Sequence, residues 1–143
     1  MSYPSTELPD TNKARLNYKL YEIVKQSNPD TVYTHYNKEL NESHSIVSNG
    51  TLVACRPDFY KGKILMYESE STLGFKPNYH VDIEEFIDVK CQAFSFYESE
   101  VKEYPHQRSI EGIINHAKYR GNEVGLKFAE AFYLVRDIWR EEF

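Results

Sequence analysis

Two histidines and a glutamate lie within ten residues of one another, and side chains of these types can hold a metal ion. His35, Glu39 and His44 occur in the segment PDTVYTHYNKELNESH. Imidazole nitrogens and carboxylate oxygens are common zinc ligands, and hydrolytic zinc sites combine three protein ligands with a water molecule. No recognised ligand spacing links the three residues. Taken alone, a histidine such as His44 is more often a surface residue that forms hydrogen bonds.

A second group of polar residues lies in the segment YPHQRS, which contains His106 and Arg108. An arginine can bind a carboxylate or a phosphate through two parallel hydrogen bonds. The simpler interpretation is a turn before a helix with an arginine salt bridge, and the residues alone favour it. Glu68 follows the apolar run ILMY, where catalytic carboxylates often lie, but it could equally pair with a nearby lysine or arginine.

The elements around His44 predict where its side chain lies. Residues 31–36 are rich in β-branched and aromatic side chains, which indicates a short buried strand. A polar loop follows, and a helix is predicted to begin near Ser43. In open α/β sheets the ligand crevice lies where a strand ends and the next helix begins. His44, in the first turn of that helix, is therefore predicted to lie at the mouth of a crevice.

The rest of the chain alternates between helical and extended patterns. A helix is predicted after a capping Asp10, and further helices over about 82–97 and after Ser109, with a possible helical continuation through 124–128. Strands are predicted over 64–67 and 132–139, with a short extended piece over 79–81. This alternation predicts an α/β layered fold with a largely parallel sheet. The strand count is low for a parallel sheet covered on both faces, so part of the sheet is expected to be missing. Residues 1–9 are expected to form a flexible arm.

Length, charge and cysteine content exclude several classes of protein. The 143 residues fit one domain with a hydrophobic core. A formal net charge of −5 argues against nucleic acid as a partner. No apolar stretch is long enough to span a bilayer, and no signal peptide is visible. With two separated cysteines and no disulfide framework, a reduced, cytoplasmic protein is expected. The chain also lacks a glycine-rich phosphate loop and a nucleophile elbow.

Five blocks of the sequence, in this order and at this spacing, resemble a known family. They are PDTVYTH, ELNESH, ILMYESESTLGFKPNYHVDI, PHQRSIEGIINHAKYRG and VGLKFAEAF. Together they are similar to the carboxyl-terminal part of the LmbE-like, or PIG-L, zinc-dependent N-deacetylases. The resemblance extends over about residues 10–136.

This resemblance implies a Rossmann-like three-layer domain that removes an acetyl group from an N-acetylglucosamine-type sugar conjugate. In the family, zinc is held by a His and an Asp of an amino-terminal AHPDDE-type motif and by a His of a later block. That later block matches ELNESH, so the resemblance assigns His44 as a zinc ligand for metal-assisted hydrolysis. Asn41 lies where some members carry a histidine thought to stabilise the oxyanion. The PHQRS block implies that His106 and Arg108 line the substrate side, where Glu68 is a further candidate.

Two departures from the family pattern shape the expected function. Nothing before Asp30 resembles AHPDDE, so two zinc ligands and the general base are not in this sequence. Ser43 occupies a position that is usually acidic, and such a residue would support the metal-binding histidine. We therefore expect one incomplete domain over residues 1–143 that is inactive by itself. An open sheet edge would favour a homo-oligomer or a partner chain carrying the amino-terminal half. The alternative is a non-catalytic saccharide-binding or scaffold module.

Overall fold

The computed structural model describes residues 12–139 and residue 141, which belong to two compact units. The first unit comprises the residues up to Lys76 together with those from Phe132 onward, and the second is Pro77–Ala131. The predicted arm at 1–9 and the predicted cap Asp10 lie outside the described residues. Whether the chain forms one domain stays a prediction.

The first unit contains α1 (Lys13–Ser27), β1 (Thr31–His35), α2 (Glu42–Ala54) and β2 (Lys63–Tyr67). The second contains β3 (Tyr79–Asp82), a short 3-10 helix (Glu84–Phe86), α3 (Ile87–Ser95) and α4 (Ile110–Asn122). The last strand, β4 (Ala129–Arg136), begins in the second unit and ends in the first. The α/β class predicted from the sequence is confirmed.

The sheet has four strands in the order β1-β2-β4-β3. Strands β1 and β2 are parallel, with His35 paired to Tyr67 at their carboxyl ends. Strands β2 and β4 are antiparallel, with an irregularity between Ile64 and Leu65. The sheet is therefore mixed, and the prediction of a largely parallel sheet holds for β1 and β2 but not for β4. Burial patterns predict which residues face the core, but they carry no information on strand direction.

Asparagine caps begin both helices of the first unit. The side chain of Asn12 accepts hydrogen bonds from the backbone N–H groups of Ala14 and Arg15, and α1 ends at Asn28 in the left-handed conformation. The side chain of Asn41 accepts from the N–H groups of Ser43 and His44 at the start of α2. Such caps satisfy backbone donors that have no partner within the helix. The cap at Asn41 fixes His44 in the first turn, as predicted.

The core of the first unit surrounds β2. Ile64, Leu65 and Met66 are all buried, and Ile64 packs with Cys55 and Tyr60. The guanidinium of Arg136 donates hydrogen bonds to the backbone carbonyls of Cys55, at 3.0 Å, and of Tyr60, at 2.7 Å. These bonds join the end of β4 to the segment that follows α2. The core thereby holds the carboxyl end of β2 in place beside β1.

In the second unit, Ser109 caps α4 as predicted, accepting a hydrogen bond from the backbone N–H of Gly112. Helical structure does not resume through 124–128. Gly125 has a φ of 76°, and β4 begins at Ala129 and ends at Arg136 instead of covering 132–139. Helix α4 ends at Asn122, and the left-handed glycine that follows does not allow helical structure to resume, which explains the difference. Among the described residues, no helix is both long enough and apolar enough to cross a membrane.

Candidate functional site

The candidate site lies at the carboxyl ends of two adjacent parallel strands. His35 is the last residue of β1, and its partner Tyr67 is the last residue of β2. His44 faces them from the first turn of α2. In open α/β sheets, ligands bind beyond the carboxyl ends of the strands, which is where these residues lie.

The two histidine rings are stacked against each other. Their centroids are 3.9 Å apart and their planes differ by 5°. The ring of Tyr67 packs on His35 at 4.7 Å, and its hydroxyl lies 3.3 Å from Nε2 of His35. The Nδ1 atoms of both His35 and His44 are buried without a hydrogen-bond partner. The side chain of His44 nevertheless remains 31% exposed.

Glu39 lies beside the histidines, with its side chain fully buried and one carboxylate oxygen 3.7 Å from Nδ1 of His44. Hydroxyl groups surround its carboxylate: Ser69 donates at 2.7 Å, Thr72 donates at 2.9 Å, and Ser71 donates to the other oxygen. The backbone N–H of Asn41 adds a longer bond at 3.4 Å. A carboxylate accepts about four hydrogen bonds, so these four donors use its capacity.

The loops after β1 and β2 are hydrogen-bonded to each other around this carboxylate. The backbone N–H of Leu40 donates to the carbonyl of Ser71 at 3.1 Å, and that of Leu73 donates to the carbonyl of Lys38 at 2.8 Å. Two of the hydroxyls that donate to Glu39 also accept from the loop backbone: that of Thr72 from the N–H of Ser69 at 2.8 Å, and that of Ser69 from the N–H of Ser71 at 3.2 Å. Glu39 is therefore the centre of a closed polar network.

The network sets the charges in the site. Burial alone would raise the pKa of Glu39, but the hydrogen bonds from Ser69, Ser71, Thr72 and Asn41 lower it to about 2. Burial lowers the pKa of His35, the neighbouring His44 lowers it further, and Glu39 partly offsets both effects. A fixed negative charge thus lies next to imidazole nitrogens, an arrangement that attracts a cation.

The donor set of the site suits a metal such as zinc. One ligand atom from each of His35, Glu39 and His44 lies within 4.8 Å of the others, and no other such group of three occurs within 12–139 and 141. Two imidazoles and a carboxylate are a known set for catalytic zinc. A metal ion lies close to the plane of each imidazole that binds it. Because the rings are stacked in nearly parallel planes, one ring would have to turn before both could bind one ion.

The other predicted site residues occupy different places. The side-chain amide oxygen of Asn41 caps α2. Glu68 directly follows β2, is half-buried and does not belong to the group of His35, Glu39 and His44. His106 and Arg108 lie in the second unit, in the turn before α4. Nδ1 of His106 accepts from the backbone N–H of Arg108 at 3.0 Å, and the Arg108 guanidinium pairs with Glu100. This is the turn with a salt bridge that the residues alone favoured, and the substrate roles of these residues stay predictions.

Sequence reasoning identified His35 and Glu39 as neighbours of His44 but missed the hydroxyl groups that hold Glu39. Ser69, Ser71 and Thr72 lie 30 to 33 residues further along the chain. Their cluster within SEST, one residue after the predicted strand ILMY, was the available signal. Loops after adjacent parallel strands lie side by side, so a hydroxyl-rich loop there could have been paired with the loop containing Glu39.

No known family profile matches the chain, but several solved structures are similar to it. The conserved protein TT1542 from Thermus thermophilus gives a TM-score of 0.77 at 20% identity, over 98% of this chain and 66% of that one. An N,N'-diacetylchitobiose deacetylase from Pyrococcus horikoshii, in complex with its inhibitor MPG, gives 0.69 at 19%, over 87% of this chain and 52% of that one. The 4-carboxy-2-hydroxymuconate hydratase GalB from Pseudomonas putida KT2440 gives 0.68 at 17%, over 93% and 63%.

These similarities concern the fold. The chain spans about half to two-thirds of the length of the three proteins. One of them is a deacetylase and another a hydratase, so proteins that share this fold catalyse different reactions and function has to be argued from the site. At identities of 17–20%, the chain shares the α/β fold of a chitobiose deacetylase and its structural relatives.

Proposed function

We propose that this chain is the carboxyl-terminal part of a zinc-dependent N-deacetylase that acts on an N-acetylglucosamine-type sugar conjugate. His44 is its zinc ligand, and the chain is inactive until further ligands and a general base are supplied from outside the segment. The observation that supports this proposal best is the position of His44, in the first turn of α2 against the last residue of β1, partly exposed and 3.7 Å from a buried carboxylate. The fold shared with a chitobiose deacetylase is consistent with it.

Each residue of the site has a part in this function. Bound zinc would polarise the amide carbonyl of the substrate and make a water molecule nucleophilic at neutral pH. His44 would hold the ion, and the negative charge of Glu39 lies 3.7 Å from the His44 ring. Asn41 uses its carbonyl oxygen for the helix cap, so its amide N–H2 group is the part that can donate to a substrate oxygen.

The number of available ligands explains the expected inactivity. Catalytic zinc needs three protein ligands and an open position. Here the carboxylate of Glu39 already accepts four hydrogen bonds, and His35 and His44 are stacked. His44 is thus the one described ligand ready to bind without rearrangement. We infer that the remaining ligands come from a partner chain or from further chain outside this segment.

Zinc binding and deacetylation can be measured on the purified chain, with His44→Ala as the test variant and the exposed His116→Ala as its control. We expect weak zinc binding by calorimetry and no release of acetate from N-acetylglucosamine derivatives. His44→Ala should weaken zinc binding at least about tenfold, since a metal ligand is lost, whereas His116→Ala should leave it unchanged. Stoichiometric zinc with turnover would contradict the predicted inactivity. Equal zinc affinity in both variants would exclude His44 as the ligand.

The position of β1 supports the inference of a partner. Among the strands of the described residues, β1 is the first in the sheet order and has a neighbour on one side only, and Tyr33 at its centre is 58% exposed. Edge strands of this kind tend to pair with another chain. We therefore expect a homo-oligomer, or a complex with a chain carrying the amino-terminal half, and light scattering coupled to gel filtration tests this. A monomer over the whole micromolar range, with no change on adding such a chain, would contradict it.

A second candidate function is a saccharide-binding module without catalysis. The complete use of the Glu39 carboxylate by hydroxyl and N–H donors favours it, because a carboxylate so engaged supports the loops whether or not a metal binds. Calorimetry with N-acetylglucosamine in the presence of a chelator separates the two functions. Binding that persists without metal supports the module, and binding that requires zinc supports the deacetylase.

A further inference from the structure

The two ring nitrogens of His44 have different surroundings. Nδ1 is buried, has no hydrogen-bond partner and lies 3.7 Å from a carboxylate oxygen of Glu39. Nε2 is not among the buried unpaired atoms of the described residues, and the side chain is 31% exposed. One nitrogen therefore faces a buried anion, and the other belongs to the accessible part of the ring.

We propose that Glu39 is a positioning residue that holds neutral His44 in the tautomer with its proton on Nδ1, so that Nε2 presents a free lone pair to an incoming ligand. A bare lone pair on Nδ1 would face a negatively charged oxygen and be repelled, whereas an N–H group there is attracted to it. Metal-binding histidines are commonly oriented in this way by a carboxylate. The benefit for zinc rests on the proposed function, but the tautomer is a property of the metal-free protein.

The structure around Glu39 suits this role. Three hydroxyl donors and a backbone N–H fix the carboxylate in one orientation, so its charge cannot turn away from the ring. Stacking against His35 limits rotation of the His44 ring. Glu39 thus provides a fixed carboxylate close to the His44 imidazole from the loop that precedes α2.

The tautomer can be measured directly by long-range 1H–15N correlation NMR on the metal-free protein, at a pH where the imidazoles are neutral. The protonated and bare nitrogens of a neutral imidazole resonate far apart. We expect Nδ1 of His44 to be the protonated nitrogen. His106 is an internal reference of opposite type, because its Nδ1 accepts a hydrogen bond from the N–H of Arg108 and its proton must be on Nε2. A His44 spectrum of the same type as that of His106 would overturn the proposal.

Two variants separate positioning from general support of the fold. Glu39→Gln removes the charge and should shift His44 towards the other tautomer and weaken zinc binding about 10- to 100-fold. Ser71→Ala removes one hydroxyl but keeps the carboxylate, so it should retain the Nδ1–H tautomer. If Glu39→Gln is folded by circular dichroism and keeps that tautomer unchanged, the proposal is wrong.

The NMR and zinc measurements can fail independently. An Nδ1–H tautomer in a protein that binds no zinc would uphold the role of Glu39 and contradict the deacetylase function. Zinc binding through His44, with the proton on Nε2 in the metal-free protein, would be consistent with the deacetylase function and would contradict the role of Glu39.

Discussion

Glu39→Gln is expected to lower the free energy of unfolding by about 3 kcal/mol at neutral pH. The pKa of Glu39 lies at about 2, below its ordinary value of 4.5, and each unit of difference corresponds to about 1.4 kcal/mol. The side chain itself has no solvent-accessible surface, but the loops around it are only partly buried, so screening by nearby water takes this contribution below its full value of about 3.5 kcal/mol. A glutamine cannot accept from all the hydroxyl donors, and its N–H2 group would face some of them. Urea titration followed by circular dichroism measures the loss.

The pH dependence of this loss provides a sharper test. Because folding lowers the pKa of Glu39, its contribution to stability is complete above about pH 4.5 and disappears as the pH falls through about 2. The difference in stability between the wild type and Glu39→Gln should therefore shrink in that window. The exposed Glu42→Gln, in the first turn of α2, is the matched control and should cost less than about 1 kcal/mol. A difference that is constant from pH 6 to pH 2 would show that ionisation of Glu39 is not its source.

Leu65→Ala is expected to cost about 2–5 kcal/mol of stability. Leu65 is 1% exposed, at the centre of β2 between two strands, and its truncation would leave a cavity in the core. A loss at the upper end of this range is comparable to the total stability of a small domain, so much of the protein could unfold. The change in denaturation midpoint with an unchanged slope would measure the loss.

The control for this prediction is Leu65→Met, which nearly conserves volume and should cost less than about 1.5 kcal/mol. The loop that directly follows β2 contains the hydroxyl groups that bind Glu39. Leu65→Ala should therefore also weaken the protection of the Leu40 and Leu73 amides against hydrogen exchange. Equal stability of the two variants would indicate that the packing around Leu65 has been misassigned.

The strand, loop and helix around His44 could be predicted because each has a local cause. β-Branched and aromatic residues indicated β1, and Asn41 is a strong helix cap at the start of α2. Strand direction had no such local cause, which is why the antiparallel β4 was not predicted. The predicted helical continuation through 124–128 was also wrong, because Gly125 is left-handed and the chain there is not helical.

The candidate site was partly predictable for the same reason. His35, Glu39 and His44 are close in sequence, so a strand end followed by a helix brought them together. The ionised state of Glu39 depends on hydroxyls from a loop 30 or more residues away, and no local pattern indicates such a partnership. Ring stacking and the burial of one nitrogen of His44 likewise arise only when the elements pack.

The closed network around Glu39 has a consequence for how a cation would be captured. Its two loops are already tied together by backbone bonds, so the entropy of ordering them is lost during folding and not at the moment of binding. The remaining free-energy costs of binding are the partial dehydration of the ion and the rotation of one imidazole away from the other. The site is thus preorganised except for the rotation of one imidazole. Its selectivity among cations would follow from ligand softness and not from loop closure.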